Sequence, residues 1–293
     1  MKRSTAAIIT ARGGSTRVPR KNVRLVCGLP VVAWNIIQAK CSPEIDAVYL
    51  TTDDDEIARI GDQYGAVVIR RPTYENSISA NVPFLHALWI IEQLGYHYDN
   101  IVPILPTALL KKPSDLDDMV RYFNENNLTE LTTACPVKEC YIYKNTKPFQ
   151  ERYGNVECTI PGEPSTEMGF QGKRVITDSL WNYSRMMGCW GIATRDRLFE
   201  IWSNKNVRDI DLVTAPMDGE TLLNLFKVEE WQCYDIDYPE DLIMVELLFD
   251  KFILKGRGPM VYFDYLNKAI MESNDTTLVE KYGGNFKQLG AIE

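Results

Sequence analysis

The first half of the chain alternates short apolar runs with helix-patterned segments, and this rhythm restricts the fold more than any other feature of the sequence. "TAAIIT", "AVYLTT", "AVVIR", "NIVPIL" and "ELTTACPV" have the length and composition of buried strands. Between them lie "LPVVAWNIIQAK", "DDEIARIGDQYG", "NVPFLHALWIIEQLG" and "KPSDLDDMVRYFNEN", with apolar residues at helical spacing. Gly65 and Gly95 close two of these helices, and Ser114 is the expected N-cap of the last. Strand and helix in strict alternation predict an α/β fold: a mostly parallel sheet with helices on both faces. Such sheets present their ligand sites at the carboxyl ends of the strands.

The rhythm breaks between Lys138 and Arg174, where the chain is polar and rich in Gly, Pro and aromatic residues. Residues 138–174 are therefore expected to form an inserted element, with residues 1–137 and 175–256 making the α/β domain and 257–293 a C-terminal extension. Within the second half, "GCWGIAT", "LVTAPM" and "WQCYDIDY" are expected strands, and "PEDLIMVELLFDKFILKG" a long closing helix. Tyr141, Tyr143, Phe149, Tyr153 and Phe170 in the insertion would leave an apolar patch on a monomer, which predicts a homodimer built through it.

Composition excludes several classes of function. The formal charge is -8, which argues against nucleic acid or an anionic membrane as the main partner. No apolar stretch approaches a membrane span, and the run Ala6–Ile9 is too short for an export leader. The seven cysteines follow no zinc spacing and are expected to be reduced, as in a cytoplasmic protein. The sequons at Asn127, Asn182 and Asn274 are then accidental. Two distant histidines give no support for a Ser-His-Asp triad, and His86 in "FLHALW" is expected to be packed in the core.

Against this acidic background, the stretch after the first strand gathers cations. "ARGGSTRVPRKN" holds Arg12, Arg17, Arg20 and Lys21 beside Gly13, Gly14 and Ser15. A glycine-containing loop after a buried strand offers backbone N–H groups to an anion, and the cations suit a polyphosphate. Neither the Walker pattern nor the dinucleotide fingerprint is present. A second candidate lies far downstream in "YDIDYP". Asp235 and Asp237 are two apart, so on extended chain they share a face. Two carboxylates opposite a polyphosphate suit Mg²⁺, although an acidic turn before Pro239 would have the same sequence. Asp241 is expected to cap the closing helix, and Asp53 to Glu56 in "TTDDDE" to form a helix N-terminus rather than a metal site.

These segments, in this order, resemble the cytidylyltransferases that make CMP-sialic acid and CMP-KDO. "ARGGSTRVPRKN" is similar to that family's R-x-x-S-K-x-x-x-K-N signature. "VYLTTDDDEIARIGDQYGA", "IRRP", "ILPTALLKKPSDL", "TACPV", "MMGCWGIAT" and "YDIDYPEDL" follow its further motifs from about Ala6 to Leu247. The resemblance implies a Rossmann-like nucleotidyltransferase sheet with a small inserted dimerisation arm. It implies a CTP-dependent enzyme that transfers CMP to the hydroxyl of a sialic-acid-like sugar acid with release of pyrophosphate. Carried over by position, Arg12, Gly13, Gly14, Ser15, Lys21, Asn22, Arg71 and Ser79 hold CTP, and Asp235 and Asp237 hold Mg²⁺. Arg12, Lys21 and Asp237 take the catalytic roles. Thr16 stands where the family commonly has lysine, and Arg17 or Arg20 could compensate.

The departures concentrate on the acceptor side. Leu105, Ala108, Leu109, Lys111, Met187 and Trp190 replace the family's glutamine, serine, proline, arginine, asparagine and tyrosine. A pocket with fewer polar groups disfavours a polyhydroxylated ligand. This predicts a less polar, acetamido- or deoxy-modified ulosonate, or a different small acid. Arg174 and Arg185 are the candidate cations for its carboxylate. A homologue that binds CTP or CMP without catalysis is the rival expectation, against which the retained Arg12, Lys21, Asp235 and Asp237 argue.

Overall fold

A computed structural model describes residues 3–73, 81–136, 184–204 and 224–266. The chain divides into two compact units, Met1–Ala134 with Met186–Glu293, and Cys135–Arg185. The elements that follow belong to the first, apart from the end of β7 and the start of β8.

The alternation expected from the sequence is present. β1 (Thr5–Ala11), β4 (Ala47–Thr52), β5 (Val67–Arg70) and β6 (Asn100–Ile104) are linked by α1 (Val31–Lys40), α2 (Asp55–Gln63) and α3 (Asn81–Gln93). A two-stranded hairpin, β2 (Leu25–Val26) with β3 (Leu29–Pro30), precedes α1. α4 (Pro113–Glu125) leads to β7 (Glu130–Pro136), followed by β8 (Ser184–Thr194), α5 (Arg195–Asn204), β9 (Leu225–Lys227) and α6 (Pro239–Leu248). Among the described residues the main sheet runs β5-β4-β1-β6-β8-β7-β9. β5, β4, β1 and β6 are parallel, β8 is antiparallel to β6, and β9 is parallel to β7.

Parallel strands covered on both faces read as continuous apolar runs, and Ala6, Ala7, Ile8 and Ile9 of β1 are all fully buried. On one face, Ile8, Tyr49 and Ile101 pack with Phe84, Leu85, Leu88 and Ile91 of α3 and Leu198 of α5. On the other, α1 is buried along almost its whole length. Trp34 explains how both sides of α1 are covered: its ring lies 4.8 Å from Phe249 and 6.0 Å from Tyr262, in the turns that follow α6. Its indole N–H donates to the Val26 carbonyl at 2.7 Å, fixing the hairpin against the same helix.

Three local expectations are corrected. The helix at 113–125 is capped at Lys112, not Ser114, because Pro113 takes the first helical position and Asp115 reaches back to the Lys112 N–H at 2.8 Å. "WQCYDIDY" is not a strand: Glu230–Cys233 is a 3-10 turn held by Glu229 and Gln232, and extended chain begins only at Tyr234. The closing helix ends at Leu248 and continues as a wider π turn over Phe249–Leu254. Cys135 and Cys233 are disulfide-bonded while Cys27 and Cys41 are free, so the cysteines are not all reduced as expected. The expected insertion at 138–174 and the strand "LVTAPM" lie outside the described residues.

Candidate active site

Strand register sets the first part of the site. Ala11 pairs with Thr52, and Thr52 with Arg70. The next residue of each strand therefore leaves the same sheet edge, placing Arg12, Asp53 and Arg71 in one row. Asp53 links this row. Its Oδ1 accepts the Gly13 N–H at 2.9 Å, and its Oδ2 lies 3.7 Å from Arg71 Nη1. Both side chains are nearly buried, 8% and 4% exposed, so each charge depends on the other and on hydrogen bonds for compensation. Arg71 also donates to the Pro72 carbonyl at 3.1 Å, and its own N–H bonds to Thr52 at 3.0 Å.

The neighbouring acids have separate tasks. Asp54 caps α2 by accepting the Ile57 N–H at 3.0 Å and also receives the Arg20 guanidinium. Arg20 pairs with Glu56 as well, and Arg70 pairs with Asp55 at 2.5 Å. The Arg20 bond holds the Asp54 carboxyl below its usual range, and the two carboxylates hold Arg20 more firmly protonated. Asp54, Asp55 and Glu56 thus form a helix N-terminus, as expected, whereas Asp53 stands one residue before the cap and turns to Gly13 and Arg71 instead. Asp53, Asp54 and Glu56 also anchor the cationic loop. Gly13 is required by that anchoring, because a Cβ there would sit 2.6 Å from an Asp54 oxygen. Gly14 has open space around it.

The loop re-enters the core at Val18, then forms a 3-10 turn over Lys21–Val23. Buried Asn22 donates to the Arg12 carbonyl at 2.9 Å and so fixes the backbone beneath the exposed Arg12 side chain. Lys21 points the other way. Its ammonium donates to the Ile236 carbonyl and lies 3.9 Å from Asp237. Burial lowers the Lys21 pKa, while the Asp235 and Asp237 carboxylates oppose that shift. Arg17 pairs with Asp237 at 3.1 Å and lies over the Tyr238 ring. Of the two cations that could compensate for Thr16, Arg20 is therefore turned to α2 and Arg17 to the aspartate pair.

Ile236 is fully buried between Asp235 and Asp237, so the alternation of extended chain turns both carboxylates away from the core. Asp235 accepts the Ile236 N–H at 2.8 Å. Asp241 accepts the Asp237 and Tyr238 N–H groups at 2.8 and 2.7 Å, the capping role expected of it. Two carboxylates on one extended segment, beside a cationic loop, are hard oxygen donors of the kind Mg²⁺ takes. No group of three or more His, Cys, Asp or Glu side chains that could hold a metal ion occurs among the described residues.

The loop after β6 differs from the apolar pocket wall that its sequence suggests. Ala108, Leu109 and Lys111 are buried at 2%, 0% and 0% exposure. Lys111 donates to Asn35 at 2.5 Å and to the Ala108 carbonyl at 2.7 Å. Asn35 donates to the Pro106 carbonyl at 2.8 Å, and Gln38 to those of Leu109 and Lys111 at 3.0 and 2.5 Å. These residues clamp the loop to α1. Trp190 is also fully buried, opposite Ile104, with its carbonyl accepting from Thr133. Only Leu105 and Thr107 of this loop's first half keep partial exposure. His86 is half-buried on α3, where burial and the nearby Arg71 cation lower its pKa.

Arg12, Gly13, Gly14, Ser15, Lys21, Asn22, Arg71, Asp235 and Asp237 thus share one edge of one compact unit. Ser79 and Arg174 lie outside the described residues, as does the Arg185 side chain. Asp53 and the Lys111–Asn35 clamp were not identified from sequence. The only signal for Asp53 was its place one residue past a strand end in register with Arg12.

A sequence profile of the cytidylyltransferase family matches residues 6–140. The chain is 31% identical to post-translational flagellin modification protein B of Campylobacter coli over 256 residues, covering 85% of this chain and 96% of that protein. It is 32% identical over 150 residues to the pseudaminic acid cytidylyltransferase of Campylobacter jejuni, 48% of this chain and 65% of that one. It is 30% identical over 130 residues to the N-acylneuraminate cytidylyltransferase of Oncorhynchus mykiss, 44% of this chain but only 30% of the relative's length. Among solved structures, CMP:2-keto-3-deoxy-manno-octonic acid synthetase complexed with CTP superimposes with a TM-score of 0.57 at 16% identity, over 85% of this chain and 99% of that one. That likeness concerns the fold.

Proposed function

The chain belongs to the cytidylyltransferase family, and from that premise we propose that it transfers CMP from CTP to the hydroxyl of a nonulosonate, a sugar acid of the sialic-acid kind, releasing pyrophosphate. One observation carries the reading. The loops after β1 and β5 leave one sheet edge carrying Arg12, Lys21 and Arg71, and Lys21 reaches from the first of them to the Asp235–Asp237 segment. Cations that neutralise a triphosphate and carboxylates that hold its metal are the two requirements of this chemistry.

Arg12 and Arg71 bind phosphate oxygens and orient the α-phosphorus. Ser15, Gly14 and Asn22 shape the loop around the nucleotide, with Ser79 on the base. The acceptor oxygen attacks the α-phosphorus in line, a new P–O bond forms, and the bond to the pyrophosphate oxygen breaks. The hydroxyl proton passes to solvent. Lys21 stabilises the charge that develops on the leaving pyrophosphate. Asp235 and Asp237 would hold Mg²⁺, which would supply charge neutralisation and a lower hydroxyl pKa.

The sugar-acid acceptor is supported by the relatives' names, pseudaminic and N-acylneuraminic acid among them. Arg174 and Arg185 are the cations proposed for its carboxylate. A homodimer joined through residues 138–174 is supported by the aromatic content of that segment, and light scattering of the whole chain tests it. Action in the cytoplasm is supported by the CTP requirement; among the described residues, no helix is long and apolar enough to cross a membrane. The disulfide-bonded Cys135 and Cys233 stand against a fully reduced chain. The function itself is tested by incubating the protein with CTP, Mg²⁺ and a panel of nonulosonates, and identifying a CMP-linked product by mass spectrometry.

A further inference from the structure

We infer that Asp53 is a positioning residue, which locks the glycine loop and the Arg71 guanidinium into one rigid phosphate-binding unit. The inference rests on the proposed placement of triphosphate against Arg71. Each oxygen of the carboxylate has a different partner, Gly13 N–H through Oδ1 at 2.9 Å and Arg71 Nη1 near Oδ2 at 3.7 Å. These partners come from separate strands, β1 and β5, with β4 and Asp53 between them. A carboxylate at that point is the shortest bridge the sheet allows.

Two further features make the bridge stiff. Asp53 and Arg71 are 8% and 4% exposed, so water cannot substitute for either partner. Gly13 is pressed against Asp54 so closely that a Cβ would meet its oxygen at 2.6 Å, which leaves the loop no room to slide toward α2. An arginine without such a support would spread over several rotamers, and each would offer the phosphate a different geometry. Misplacement by about 1 Å costs on the order of a hundredfold in rate. Because the Gly13 N–H is already engaged, that group orients the loop and does not itself cradle phosphate. The phosphate contacts fall to Arg12, Lys21 and Arg71.

A double-mutant cycle on the full chain tests this, with Asp53→Asn, Arg71→Lys and the pair. Asparagine keeps an acceptor for Gly13 N–H but removes the charge that holds Arg71. Turnover of CTP with a nonulosonate is expected to fall at least about tenfold in Asp53→Asn. In the Arg71→Lys background, where the oriented fork is already lost, the same change is expected to cost less than about threefold. Equal losses in both backgrounds would overturn the inference, since Asp53 would then not act through Arg71. So would turnover within about twofold of the parent in Asp53→Asn alone. If Asp53→Asn does not fold, Asp53→Glu replaces it in the cycle, because it keeps the charge but displaces it by one methylene. If the parent shows no turnover with CTP, the functional proposal fails on its own. The coupling is then read from affinity for inorganic triphosphate in the same four proteins: non-additive by at least about fivefold supports the inference, additive contradicts it.

Discussion

The Lys21 ammonium donates to the carbonyl of Ile236 and lies 3.9 Å from an oxygen of Asp237. A cation from the first loop of the domain is thereby fixed beside the carboxylates of its last extended segment. Arg17 reaches the same Asp237 at 3.1 Å. Asp237→Asn is expected to lower turnover by roughly 10²–10³-fold while CTP still binds, because the carboxylate acts mainly on charge that develops in the transition state. Steady-state kinetics at saturating Mg²⁺, with calorimetry for CTP, checks this; unchanged turnover would make the pair structural.

Arg12 and Arg20 both belong to the cationic loop, but Arg20 is turned to the N-terminus of α2. Arg20 is occupied by Asp54 and Glu56 and is 41% exposed on its side chain. Arg20→Ala is expected to cost about 1 kcal/mol or less in stability, given that exposure. CTP affinity should change less than tenfold, against a much larger loss for Arg12→Ala. Parallel titrations of CTP into the two variants separate these outcomes.

Lys111 gives the clearest contrast between sequence and structure. In the sequence it is one of two adjacent lysines, and the family resemblance makes it an acceptor contact. In the fold it is fully buried and bonded to Asn35. Lys111→Met leaves the Asn35 oxygen without its donor and is expected to cost about 1–3 kcal/mol. Urea denaturation should show that loss while the KM for acceptor stays unchanged. A higher acceptor KM at full stability would return Lys111 to the pocket.

The βα rhythm was legible because each strand and helix shows its burial in local periodicity, as in "TAAIIT" and "DDEIARIGDQYG". The cationic loop and the Asp235–Asp237 pair were legible as chemistry, since each stands in one short stretch. The division of labour among Asp53, Asp54, Asp55 and Glu56 was not. Four consecutive acids look alike until the register of β1, β4 and β5 sets Asp53 to accept the Gly13 N–H and meet Arg71, while Asp54 packs beside Gly13 and caps α2. "WQCYDIDY" failed as a strand because Gln232 is recruited by the Leu110 carbonyl and Asp115, partners far away in sequence.

His86 supplies a pH dependence with a definite sign. Burial and the Arg71 cation lower its folded pKa, while the unfolded value stays near 6.5. The unfolded chain therefore binds more protons between those two values, and this contribution to stability is lost as pH falls from about 6.5 through the lowered folded pKa. Thermal melts of parent and His86→Gln from pH 7.5 to 5 should converge toward low pH, with the parent losing more. Parallel curves would show that the folded chain does not lower the His86 pKa.

CMP transfer to a sugar acid is tested most sharply by pyrophosphate release with Mg²⁺ and a nonulosonate acceptor, comparing CTP with ATP, GTP and UTP. Release should depend on both CTP and the sugar acid, with a CMP-linked product and little turnover of the other nucleotides. Equal release from ATP, or no release from CTP with any acid in the panel, would contradict the proposed function.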